Sequence, residues 1–127
     1  MTAPQMTEFQ RSAQFWSVLV HAARTQYVVS YEQLAKMSGV PRFAQASILG
    51  NVYHYCNQQG LPPLTSIVIE ETSGVPASDD FKGLDLAALM RRVFVFDWLS
   101  HGVPSVQDFE HARAVAEAAK AASPAAV

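Results

Sequence analysis

An α+β fold, mostly helical, is predicted by three observations in this 127-residue chain. Thr7, Ser30 and Ser105 are each followed three residues later by Gln or Asp, ahead of a run with helical period. Gly39, Pro41, Gly60, Pro62 and Gly102 punctuate those runs. One segment, Leu64 to Glu70, turns instead to β-branched residues. Together they describe a three-helix unit with a short β-hairpin, over about 7–76, followed by two further helices over about 84–122. All of it belongs to one domain, 1–122, with a flexible tail at 123–127.

The first helix should run from about Thr7 to Arg24, because Phe9, Ala13, Trp16, Val20 and Ala23 recur along one face. "YVV" (27–29) is a β-branched link. Ser30, with Gln33, opens a two-turn helix that Gly39 stops. Pro41 suits the first position of a third helix. Its inner face is read as Ala44, Ile48, Val52, Tyr55 and Cys56, and its end as Gly60. Pro62 and Pro63 forbid continuation, so Leu64 to Glu70 should be a strand. "TSG" (72–74) turns the chain into a second strand, which Pro76 keeps short and at an edge. Leu84 to Ser100 reads as a helix, although "VFVFDW" (93–98) within it is equally readable as a strand. Ser105 and Asp108 cap the last helix, which should reach about Ala122.

Composition narrows the function. Half of the residues are apolar and 16% are charged, which is globular and not disordered. No apolar run approaches the roughly 18 residues of a membrane span. "MTAPQMTEFQ" has neither a basic nor an apolar leader region, so a cytoplasmic location is expected. Cys56 is the single cysteine, which rules out an internal disulfide and a multi-cysteine zinc site. The net charge of −2 is unevenly spread. Residues 1–58 carry four basic and two acidic side chains; residues 59–127 carry five and nine. Four cations over 58 residues are few for phosphate binding, so any DNA binding is expected to be weak.

Three helices and a hairpin form the winged-helix order, in which the third helix usually enters the major groove. "SYEQLAKMSGVPRFAQA" (30–46) is similar to the helix-turn-helix of alkylguanine-DNA alkyltransferases and alkyltransferase-like proteins. Those proteins follow a Ser-Tyr-x-x-Leu-Ala opening and a Gly-x-Pro turn with an Ala-Ala-Arg-Ala helix and a Leu-Pro stretch. The likeness covers about Val28 to Gly74. It implies that Tyr31 lies against a DNA backbone. Gln45 stands where the family inserts an arginine into the base stack, and the Pro-Cys-His-Arg acceptor motif is absent. The alkyl-transfer chemistry is therefore not expected. "YCNQQGLPPLTSIVIEETSGVP" with "RRVFVFDW" also resembles small uncharacterised bacterial or phage-type proteins, which implies an accessory role.

The polar residues of the third helix, Arg42, Gln45, Asn51, His54 and Gln58, admit two readings. Arg and Gln near such a helix start can read guanine and adenine edges. The same residues can equally be the solvated side of an amphipathic helix. On the first reading Tyr31, Arg42, Gln45 and Asn51 bind duplex DNA, in an accessory or regulatory module without catalysis. On the second the scaffold binds a protein partner and no nucleic acid. No catalytic residue, metal or cofactor is expected, because Cys56 and His54 are two apart on one helix and point away from each other. Arg92 is expected to pair with Asp97 or Glu110 inside the fold. Leu86, Met90, Phe94 and Trp98 cover more than one helix face, which predicts a homodimer interface.

Overall fold

The computed structural model describes residues 6–122; the tail expected at 123–127 lies outside the described residues. The chain is mostly helical: α1 (Glu8–Arg24), α2 (Tyr31–Ser38), α3 (Arg42–Gln58), α4 (Leu86–Val95), α5 (Trp98–His101) and α6 (Val106–Ala122), with β1 (Val29–Ser30) and β2 (Val68–Ile69). All three capping signals operate. Thr7 Oγ1 accepts from the Gln10 amide at 3.1 Å while Gln10 Oε1 accepts from the Thr7 amide at 2.8 Å. Ser30 and Gln33 exchange the same pair of bonds, as do Ser105 and Asp108. Each cap satisfies amide groups that a helix start leaves without partners. Gly39 ends α2 at φ 76°, a left-handed conformation that strains any residue with a Cβ. Pro41 precedes α3 as its cap residue, one position before the place expected for it.

The β part differs from the hairpin expected. Leu64–Ile67 form a 3-10 turn, and only Val68 and Ile69 are extended. They pair in parallel with β1, Val29 opposite Val68 and Ser30 opposite Ile69. The partner of β2 is thus the "YVV" link and not the stretch after Gly74. The return at 70–75 is closed by Gly74 N donating to Glu70 O (2.8 Å) and Glu70 N donating to Val75 O (2.9 Å). Pro76 follows at once, and with no N–H it cannot extend a ladder.

The "VFVFDW" stretch is neither one helix nor a strand. α4 stops at Val95, Phe96 is extended, and Asp97 Oδ1 accepts the Ser100 amide at 3.2 Å to start α5. The Trp98 indole turns back and donates to Val93 O at 2.8 Å, so the last turn of α4 keeps a partner for its carbonyl. Trp16 on α1 gathers the aromatic core. Its ring meets Tyr55 and Trp98 edge-on at 5.5 Å, and Phe109 at 6.2 Å. Such pairs are worth about 0.5–1.5 kcal/mol each beyond the area they bury. α1, α3, α5 and α6 are thereby fixed to one centre.

Trp98, expected at an interface, is 1% exposed and belongs to this core. Leu86, Met90 and Phe94 are half-buried, and the last two pack against the same core. Val93, Met90 and Phe94 pack within the chain, where α4 lies against α1 and the 3-10 turn, whereas Leu86 and Leu89 line shallow clefts at the surface. Arg92 makes no ion pair with Asp97 or Glu110; its exposed side chain reaches a shallow cleft beside Tyr53 and Leu89. None of the helices among the described residues is long and apolar enough to cross a membrane.

Candidate functional site

The four residues expected on a DNA-reading face occupy three different environments. Gln45 and Asn51 are 1% and 0% exposed and face inward. Gln45 Nε2 donates to Tyr31 O (3.0 Å) and to Val40 O (3.1 Å), tying α3 to the start and the end of α2. Its Oε1 meets no donor among the described residues. Asn51 Nδ2 donates to Glu8 Oε2 (3.1 Å) and Ser12 Oγ (3.0 Å) on α1. Arg113 of α6 donates to the same Glu8 oxygen at 2.9 Å. Burial alone would raise the Glu8 carboxyl above its usual range. The hydrogen bonds from Ser47 and Asn51 and the Arg113 charge outweigh burial and hold it lower. The solvated polar face expected of α3 is therefore corrected at these two positions. They are internal polar joints between helices.

Tyr31, the first residue of α2, and Arg42, the first of α3, are in contact. The Arg42 guanidinium carbon lies 3.5 Å from the Tyr31 ring centroid, and Nη2 reaches Glu70 Oε1 at 3.3 Å. Tyr31 is itself 7% exposed, and its hydroxyl accepts the Ala77 amide at 2.9 Å. One face of the ring is covered by a cation and its hydroxyl is engaged by the 70–77 loop. Of the remaining polar residues, Gln58 donates to Ala112 O at 2.8 Å, joining α3 to α6. The His54 ring stacks edge-on with Tyr53 at 5.6 Å.

A cavity of about 390 Å³ opens beside this pair, between α3 and the loop at 76–81. Leu49, Tyr53, Ala77 and Phe81 supply apolar walls, with Gln45 and Thr65 behind them. Tyr53 meets the Phe81 ring edge-on at 5.9 Å. Burial, and then the nearby Asp80 charge, push the Tyr53 phenol up, so it stays a neutral hydroxyl. Phe43 stands at the mouth, 87% exposed. Sequence reasoning missed Phe43 and Phe81. Phe43 lies off the inward stripe of α3, so an aromatic there is a signal that helical period alone can reveal.

Cys56 is fully buried, and burial pushes its thiol up to about 12 despite a hydrogen bond from the Leu64 backbone. Among the described residues, no three His, Cys, Asp or Glu side chains are close enough to hold a metal ion. The lining can accommodate an apolar group beside the polar side chains of Arg42, Ser78 and Asp80. Comparison with protein-family models, curated proteins and solved structures finds no match.

Proposed function

We propose that this chain is a non-catalytic interaction module on a helix-turn-helix-like scaffold, and that it receives an apolar side chain of a partner protein in the cavity beside α3. The observation that carries the reading is the cavity itself, with the exposed Phe43 at its mouth. Interfaces concentrate their energy where one aromatic or aliphatic anchor fills such a pocket. The winged-helix likeness and weak DNA binding form the second reading. It draws support from the α2–Gly39–α3 turn and from the "SYEQLAKMSGVP" resemblance. Against it, Gln45 and Asn51 have internal partners, and Arg42 is held by Tyr31 and Glu70. A helix that offers one paired cation has few phosphate anchors.

Selection from a displayed random-peptide library tests the proposal. Peptides with a Phe, Trp or Leu anchor are expected to enrich, and Ala46→Trp, which fills the cavity mouth from α3, is expected to abolish their binding. A gel-shift titration with duplex DNA at low salt is expected to show no retardation. Retardation that Arg42→Ala removes would transfer the function to nucleic acid.

A further inference from the structure

One buried aromatic side chain stands apart from the core. Phe81 is 8% exposed, yet it lies outside the apolar cluster around Trp16 to which, among the described residues, every other buried apolar side chain belongs. It is the single buried residue of the stretch 77–85. Its ring meets Tyr53 of α3 edge-on at 5.9 Å. Phe81 also borders three separate openings. The cavity beside α3, about 390 Å³, and a cleft toward Leu61 and Leu89, about 210 Å³, share Tyr53, Asp80 and Phe81. The Tyr53–Phe81 ring pair is therefore the partition between them. A third cleft, about 310 Å³, is bounded by the segment of Phe81 together with Val75 and Leu86.

That segment is lightly held. Gly74 (φ 73°) and Gly83 (φ 79°) flank it, each in a left-handed conformation. Between them, among the described residues, one hydrogen bond reaches a helix: the Ala77 amide donates to the Tyr31 hydroxyl at 2.9 Å. The other bonds made by residues 76–83 are local, such as Asp80 N to Ser78 Oγ and Lys82 N to Asp79 O. Local opening is cheapest where buried contacts are few and the backbone is exposed. One ring and one hydrogen bond thus decide whether 76–83 lies closed on α3.

We propose that residues 76–83 are a built-in strap whose Phe81 occupies the slot of a partner's aromatic side chain. Closure inhibits binding, and opening joins the cavity to the cleft beyond it. The inference rests on the proposed role of the cavity and adds how entry to it is controlled. The present occupant indicates the chemistry of the partner's anchor. A phenyl ring sits edge-on to Tyr53, an arrangement that Phe or Trp can repeat and Leu cannot. With Phe81 in place, only the fraction of molecules with an open strap is competent, and apparent affinity falls by that fraction. A simple wall residue would act with the opposite sign. Its removal would take apolar contact from the occupant and weaken binding.

The test compares the full chain with Phe81→Ala and Gly83→Ala, using Phe- and Trp-anchored peptides selected on the full chain. Phe81 lies outside the core, and nothing lies within 4 Å of a Cβ placed at Gly83, so that change strains the closed backbone and obstructs nothing. Both variants are expected to bind at least about fivefold more tightly, roughly the factor that a Cβ costs in a left-handed conformation. Leu-anchored peptides should gain less. Hydrogen exchange reads the strap without a ligand. The Ala77 amide should exchange well before those in the middle of α3, and faster again in Phe81→Ala, with α3 unchanged. Weaker or equal binding by Phe81→Ala, with an intact amide spectrum, overturns the strap and leaves the cavity a binding site. Tightening by Phe81→Ala alone, without Gly83→Ala, would report a larger cavity and no displaced plug, and overturns it too. So does exchange of Ala77 only in step with α3. Should no peptide bind the chain or either variant, the proposed role of the cavity fails, and the strap's part in binding fails with it.

Discussion

Asn51→Ala removes one amide and tests whether α3 uses that residue internally. The side chain donates to the Glu8 carboxylate and to the Ser12 hydroxyl, joining the middle of α3 to the first turns of α1. A hydrogen bond to a charged group contributes about 1.5–3 kcal/mol, and one between neutral groups about 0.5–1.5 kcal/mol. The Glu8 side chain is 31% exposed, so water partly replaces the lost bond and the lower end applies to it. Asn51 Oδ1 meets no donor among the described residues, and its removal returns part of the desolvation cost. The net loss is therefore about 2 kcal/mol, a large share of the roughly 5–15 kcal/mol that holds a domain folded. Urea unfolding followed by tryptophan fluorescence measures it. The pH dependence supplies a second reading with a definite sign. Glu8 has a lowered pKa in the fold, so its stabilisation is complete above the unfolded value near 4.5 and disappears as pH falls through the folded value. With one of the bonds that lower it gone, the stability of Asn51→Ala should fall less steeply in that acid window. A change below about 0.5 kcal/mol, with the acid profile unaltered, would refute an internal role for Asn51.

Two further outcomes follow from burial. Cys56, with its thiol pushed up to about 12, should resist iodoacetamide in the native chain and react only on denaturation; mixing with benzylated guanine should leave the intact mass unchanged. Stoichiometric native labelling would contradict the packing around α3. Light scattering at micromolar concentration is expected to return one chain, 13.9 kDa, because Met90, Phe94 and Trp98 pack within it. Twice that mass, reverting to one chain in Met90→Asp, would reassign α4 to a homodimer.

Local signals carried much of this fold in the sequence. Thr7, Ser30 and Ser105 each mark a helix start because the cap is a contact over three residues. Gly39 marks an end because only one backbone conformation fits there. What escaped was decided by distant partners. Gln45 and Asn51 fall at inward spacings relative to Ile48, Leu49, Val52 and Tyr55, yet their polarity argued for water. The backbone oxygens and the carboxylate that make their burial tolerable lie on α2, in the turn after it and on α1. The "YVV" link gives no local sign that its partner is Val68. The break at Phe96 depends on a tryptophan indole reaching back to Val93 O, which no periodicity encodes.

The parallel pairing of β1 with β2 also constrains the order of folding. Its partners are 39 residues apart, from Val29 to Val68, and α2 and α3 lie between them. Closing a chain of that length costs about 3 kcal/mol from the length-dependent part alone. Two residues on each side offer too few ladder bonds to offset that cost unaided. The pair must therefore close after α3 has docked on α1, when most of the separation has already been bridged by helix packing. In kinetic language the small sheet is a late latch, absent from the folding nucleus. Weakening it should then speed unfolding and leave the folding rate nearly unchanged.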